Sequence, residues 1–278
     1  MGKIWLVTGA SRGLGREIVR AALDAGDTVV ATARSADAMR DAFGGKPDRL
    51  HPLALDITDA DAANAVAIET TERFGAIDVL VNNAGYAELG FFETFTDEAV
   101  RRQFEVNLFG TMNVARAVVP QMRAQRSGLI VTISSVSGLV SNGGGAVYSA
   151  SKFAVEGWME GFAQELAPLG VRSLLVEPGM LRTDFMDQKS ARFGSIDIPD
   201  YAEAIAQYRA FVDGPTATNR AIQSCSPRGL WRLLRRARHR RGSCSARTPG
   251  SGSARNSTSC RRRSRSPPIA TDIAGMND

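Results

Sequence analysis

Up to about residue 213, apolar positions along the chain follow two alternating rhythms. Short apolar runs at 4–7, 28–32, 50–55, 77–81, 129–133 and 171–176 have the length of buried strands, and each stops at a polar or glycine-containing turn. Between them, residues 14–25, 60–74, 97–124 and 147–168 repeat their apolar positions every three to four residues, as amphipathic helices do. Strands alternating with helices predict βαβ units and therefore an α/β fold, a doubly wound parallel sheet over residues 1–214. Polar and glycine-rich turns follow several of these strands. Open α/β sheets bind ligands at that carboxyl end.

The rhythm stops near Gly214. Residues 215–278 contain fourteen Arg, no Lys, no Glu and two Asp (Asp272 and Asp278), a balance of +12. The whole chain is +5, so residues 1–214 carry −7, from 20 basic and 27 acidic side chains. The pI of 9.4 belongs to the tail, and the body is mildly acidic. The tail is too poor in apolar residues to offset the entropy of ordering it. Three origins fit its composition: a shifted reading frame, a disordered basic segment that binds nucleic acid, or a basic amphipathic helix on an anionic membrane. The last is suggested by Leu230, Leu233, Leu234 and Ala237 at i, i+3, i+4 and i+7. A frame-shifted tail predicts that the sheet lacks a seventh strand and that 171–176 is an unprotected edge. Cys225, Cys244 and Cys260 all lie in this tail, an odd number without zinc-like spacing, which predicts neither a disulfide framework nor a metal site. No apolar run approaches the roughly 18 residues of a membrane span, and the expected location is cytoplasmic.

Candidate chemistry starts at the first turn. Thr8-Gly9-Ala10-Ser11-Arg12-Gly13-Leu14-Gly15 lies between a strand and a helix, where a glycine-rich turn lets backbone N–H groups approach a pyrophosphate. After the second strand stands Arg34 where an NAD-selecting domain usually places a carboxylate. With Arg12 it offers two guanidinium groups to a 2′-phosphate, which predicts NADP(H) over NAD(H). The third strand ends at Asp56-Ile57 and the fourth at Asn82-Asn83-Ala84-Gly85. Asn107 is polar in an apolar stretch, as either a satisfied core amide or a functional group. Tyr148 and Lys152, four residues apart, share a helix face. A nearby ammonium is expected to draw the phenol's pKa down from about 10, toward the range of general acid–base work. Ser135, thirteen residues upstream at a strand end, can reach the same substrate oxygen. Gly143-Gly144-Gly145 predicts a mobile loop beside them.

Taken together, these motifs resemble the short-chain dehydrogenase/reductase family, and the resemblance covers residues 3–213. Thr8–Gly15 is similar to its cofactor turn, Asn82–Gly85 to its N-N-A-G motif, and Pro178-Gly179 with Thr183 to its nicotinamide-side segment. The order and spacing of Asn107, Ser135, Tyr148 and Lys152 resemble its catalytic tetrad. The resemblance implies a Rossmann fold and a single domain, with a lid over about 180–213. It also implies a general acid or base in Tyr148, lowered in pKa by Lys152, which also holds the nicotinamide ribose. Ser135 would orient the carbonyl, and Asn107 would hold a helix kink and a relay water. Gly9, Ser11, Arg12, Gly13, Leu14, Gly15, Arg34, Asn83, Ala84 and Gly85, together with Tyr148 and Lys152, would line the cofactor, Asp56 and Ile57 its adenine, and Pro178, Gly179 and Thr183 its carboxamide side. An apolar lid, with Tyr86, Phe91 and Phe92 near the same cleft, suits a hydrophobic ketone or alcohol and is similar to the 17β-hydroxysteroid-dehydrogenase-like branch. Homodimers or homotetramers through the 97–124 and 147–168 helices are the implied assemblies. A catalytically silent NADP-sensing regulator, or a nucleic-acid or membrane-surface protein acting through the tail, is the rival reading.

Overall fold

A computed structural model describes residues 2–44, 48–179, 191–213 and 244–247. The first half reads β1 (Ile4–Thr8), α1 (Gly13–Asp24), β2 (Thr28–Ala33), α2 (Ala36–Ala42), β3 (Leu50–Ala54), α3 (Ala60–Phe74) and β4 (Val79–Asn82). There follow β5 (Ala87–Leu89), α4 (Asp97–Phe104), a π-helical turn (Glu105–Gly110), α5 (Thr111–Gln125) and β6 (Gly128–Ile133). The described chain closes with α6 (Ala146–Leu166), β7 (Val171–Glu177), β8 (Ala191–Phe193), α7 (Ala202–Asp213) and β9 (Cys244–Arg247). The main sheet is parallel, in the order β3-β2-β1-β4-β6-β7-β9, so the winding reverses between β1 and β4. Such a reversal opens a crevice at the carboxyl ends of the two strands. Thr8 and the Asn82–Gly85 turn stand at that crevice.

The strands read as unbroken apolar runs because both sheet faces are covered. Leu6, Val30, Leu80 and Ile130 point to one face and pack with Val66, Val114, Val118 and Met159 of α3, α5 and α6. Their neighbours Trp5, Val7, Val29, Val79 and Val131 point to the other face, with Ile18 and Val19 of α1 and Met39 of α2.

Two expectations are corrected. The single helix predicted over 97–124 is two helices joined by the π-helical turn, which carries Asn107. Periodicity cannot register one extra residue per turn. A seventh strand also exists: Cys244–Arg247, from the arginine-rich tail, runs parallel to β7 from Leu174↔Cys244 to Glu177↔Arg247. The reason is that the edge of β7 presents N–H and C=O groups, and any extended backbone can satisfy them without apolar side chains. The rest of the tail, with Cys225 and Cys260, lies outside the described residues, as do Met180 to Ser190 of the expected lid.

Candidate active site

The glycine turn and the Asn82–Gly85 turn form one unit. Thr8 Oγ1 accepts from the backbone N–H groups of Asn83 and Ala84, both at 3.1 Å. Asn83 Nδ2 donates to the carbonyls of Thr8 and Gly9, both at 3.0 Å. This approach leaves no room for side chains. A Cβ on Gly9, whose φ is +63°, would lie 2.7 Å from Ala84 Cα, and one on Gly15 would lie 2.5 Å from Asn83 Nδ2. The glycines therefore serve packing as much as ligand approach. Gly15→Ala is expected to destabilise the fold by about 2 kcal/mol, because the clash falls partly on backbone. Urea unfolding checks this, and an unchanged midpoint would show that the turn yields.

The α1 N-terminus is shaped for an anion. Arg12 is its cap residue, in extended conformation with no side-chain capping bond, and the first turn holds no acidic residue. By contrast, Ser35, Asp59 and Thr96 cap α2, α3 and α4 with their side chains. Free N–H groups at a positive dipole end suit a phosphate, and Gly13, with φ of +53°, turns the chain there. Ser11 and Leu14 are half-buried beside it. Arg34 is exposed directly after β2, at the same end of the sheet, where Ala10 N–H donates to the Thr32 carbonyl at 3.0 Å. Asp56 Oδ1 accepts from the N–H and hydroxyl of Thr58, at 3.0 and 2.8 Å. Ile57 is core: its side chain fills the space a Cβ on Gly110 would need. Its carbonyl accepts from Asn113, which leaves its N–H as the group to offer a base.

The four residues of the expected tetrad converge from three places: the π-helical turn (Asn107), the end of β6 (Ser135) and α6 (Tyr148 and Lys152). Asn107 resolves into a fully engaged amide. Its Oδ1 accepts from Tyr86 N–H at 3.1 Å, and its Nδ2 donates to the Tyr86 carbonyl at 3.0 Å and to Ser151 Oγ at 3.2 Å. Ser151 in turn donates to the Tyr148 carbonyl at 2.7 Å. Lys152 Nζ donates to the Ile133 carbonyl at 2.9 Å and sits 5.9 Å from the centre of the Tyr148 ring. A Cβ on Gly85 would lie 3.1 Å from Asn107 Oδ1 and 3.9 Å from Lys152 Nζ, so the Asn82–Gly85 turn reaches the same point. Ser135 accepts from Ser137 N–H at 3.1 Å and is hydrogen-bonded to Tyr148. Val136 N–H donates to the Pro178 carbonyl at 3.0 Å, which brings Pro178-Gly179 beside Ser135. Thr183 lies outside the described residues.

Burial governs the electrostatics. The Tyr148 phenol is pushed up to about 12 by desolvation, with the Ser135 hydrogen bond working against it. Lys152 is pushed down to about 8 by desolvation, with Glu156 one turn on working against it. The expectation that Lys152 draws the phenol's pKa down is corrected here. Removing the phenolate from water outweighs whatever the neighbouring ammonium contributes. Tyr148 thus holds a proton it can donate.

Residues 191–213, the described part of the segment expected to form a lid, pack against this group through Ala191, Phe193, Tyr208 and Val212. β8 pairs in parallel with β5, and Ala87, Leu89, Ala191 and Val212 bury the Tyr148 ring together with Phe193 and Tyr208. Gly143–Gly145 is a tied turn rather than the mobile loop expected. The Gly144 carbonyl accepts from Gly90 N–H at 2.8 Å, and the Tyr208 ring occupies the space a Cβ on Gly144 would fill. Phe91 stacks on Tyr201 with ring centres 5.0 Å apart, whereas Phe92 is exposed. The sequence reading missed Ser151, Glu88 and Gln103. A polar residue one turn before Asn107 in an apolar stripe was the available signal for Gln103.

Comparison with known proteins decides the lineage. A family model described as short chain dehydrogenase matches residues 3–193. The chain belongs to the short chain dehydrogenases. It is 42% identical over 187 residues to oxidoreductase BOA17 of Botryotinia fuckeliana, spanning 66% of this chain and 68% of that protein. A crystal structure of a short-chain dehydrogenase from Streptomyces avermitilis is similar at 41% identity and a TM-score of 0.76, covering 88% of both chains. A metagenomic short-chain oxidoreductase solved in complex with NADP is similar at 37% identity and a TM-score of 0.59, covering 64% of this chain and 82% of that one. A short chain dehydrogenase is an oxidoreductase with a nicotinamide cofactor, and the winding of this sheet reverses between β1 and β4, where open α/β sheets bind ligands.

Proposed function

We propose that this chain is an NADP(H)-preferring enzyme that interconverts a carbonyl and an alcohol, acting on the CH–OH group of an apolar substrate. The observation that carries this reading is a buried phenol that keeps its proton, bonded to a serine beside a buried lysine and roofed by apolar side chains. Tyr148 donates its proton to the substrate oxygen in reduction and takes it back in oxidation. Ser135 orients that oxygen. Lys152 places a positive charge beside the phenol and holds the cofactor ribose, and Asn107 keeps the Tyr148 helix in register through Ser151. A bound nicotinamide dinucleotide supplies or accepts the hydride. Gly9, Ser11, Arg12, Gly13, Leu14 and Gly15 would hold its pyrophosphate, Asp56 and Ile57 its adenine, and Pro178, Gly179 and Thr183 its nicotinamide side, with Asn83, Ala84 and Gly85 lining it. Self-association through the 97–124 and 147–168 segments belongs to the same reading, because Phe109 of the π-helical turn and Phe153 of α6 leave large apolar surface exposed.

NADPH absorbance with a panel of apolar ketones tests the activity, and a panel without turnover sinks it. For the cofactor, Arg34→Asp is expected to weaken NADPH binding by about 2 kcal/mol, from a lost charge-assisted contact to the 2′-phosphate. NADH binding should barely move, since it has no such phosphate. Equal losses for both in a fluorescence titration would remove Arg34 from the phosphate site.

A further inference from the structure

Gln103 has no place in the chemistry above, yet its side chain is fully buried on α4 in a polar knot beside the tetrad. Its Nε2 donates to the Tyr86 carbonyl at 3.0 Å, and its Oε1 accepts from the Glu88 backbone N–H at 2.6 Å. The same Tyr86 carbonyl accepts from Asn107 Nδ2 at 3.0 Å. Two amides one turn apart therefore grip one carbonyl, and both lone pairs of that oxygen are used. The knot is closed by Glu88, 2% exposed, whose carboxylate accepts from the Tyr86 hydroxyl at 3.1 Å and from Arg102 at 2.9 Å. Glu88 belongs to β5 and stands in register with Arg192 of β8, whose guanidinium lies 5.4 Å from the centre of the Tyr86 ring. The return strand of the lid and the amide of Asn107 thus meet at Tyr86.

We propose that Gln103 is a positioning residue for the reaction: by clamping the Tyr86 carbonyl it fixes Asn107, and through Asn107 and Ser151 the backbone of Tyr148. The proposal rests on the reading of this site as an oxidoreductase centre. Without Gln103 the Tyr86 peptide is held by Asn107 alone and can rotate. Asn107 then loses the partner that sets its plane, and the displacement passes along the hydrogen bonds to Ser151 and Tyr148. A residue that merely satisfied the backbone of β5 would affect stability and leave the chemical step alone.

Gln103→Met keeps nearly the same volume and removes both hydrogen bonds. With NADPH and phenanthrenequinone as the reporter ketone, kcat is expected to fall roughly tenfold, as misplacement of a reacting group produces, while KM for NADPH stays unchanged. Combined with Asn107→Ala it should add nothing to the loss caused by Asn107→Ala alone, because both act through one chain of contacts. Gln103→Glu retains the shape but can donate only when its carboxyl is protonated. Among Glu88, Tyr86, Arg102 and Arg192, its ratio to the wild-type kcat should rise toward acidic pH and fall toward alkaline pH. An unchanged kcat in Gln103→Met, or losses that multiply in the double variant, would overturn the proposal. Failure of the oxidoreductase reading shows separately, as an absence of turnover in the wild type. The clamp is then read from urea unfolding of the same single and double variants, where coupled losses support it and additive losses overturn it.

Discussion

Tyr148→Phe is expected to lower kcat by about three orders of magnitude while NADPH affinity stays unchanged, since a positioned general acid contributes on that scale. The substitution removes one oxygen and keeps the ring, so the apolar packing with Ala87, Leu89, Ala191 and Val212 survives. What disappears is the proton on a phenol that burial holds at about 12. Water is a poor substitute donor there, because the ring is buried among these apolar side chains. The lost hydroxyl leaves Ser135 its bond from Ser137 N–H, so the local turn should stand. Steady-state rates with NADPH, together with a fluorescence titration, separate the chemical step from binding. A variant that keeps the wild-type rate would show that the proton comes from elsewhere.

Lys152→Met should abolish turnover and stabilise the protein at the same time. Burial lowers this lysine from 10.5 to about 8, so the folded chain binds fewer protons than the unfolded chain between those values. Where the unfolded state binds more protons, stability rises with pH. The wild type should therefore gain stability as pH climbs from about 8 toward 10, where Tyr148, raised from 10.0, begins to act in the opposite sense. Below about 8 the folded chain carries the full cost of a buried ammonium, about 3 kcal/mol for a depression of this size. Methionine fills similar space without charge, but it leaves the Ile133 carbonyl unpaired, which costs about 1 kcal/mol. The net gain at neutral pH is then about 2 kcal/mol, and it should shrink as pH approaches 10. Urea unfolding at two pH values measures this. A variant less stable than the wild type at neutral pH would show that the ammonium is better solvated than its burial implies.

The parallel sheet was legible because both of its faces are buried, which turns each strand into a short apolar run. Tyr148, Lys152 and Ser135 were legible as candidates because residue type and helical spacing carry their geometry. Asn107 was visible only as a polar oddity, since its amide is satisfied by Tyr86 and Ser151, which lie 21 and 44 residues away. The phenol's pKa was misjudged for a related reason. Spacing along a helix reveals a neighbouring charge but not the depth at which the pair is buried. β9 was illegible because its pairing with β7 is a backbone matter, indifferent to the arginine-rich composition of the segment that supplies it.

The lock between Thr8 and Asn83 also bears on how a dinucleotide would enter. The cradle is tied by hydrogen bonds within the chain, so its conformational order is expected to be set when the chain folds rather than when a ligand arrives. Association should accordingly resemble docking onto a rigid surface. Its heat-capacity change should reflect the area the dinucleotide covers, without the larger signature of a segment that folds on binding.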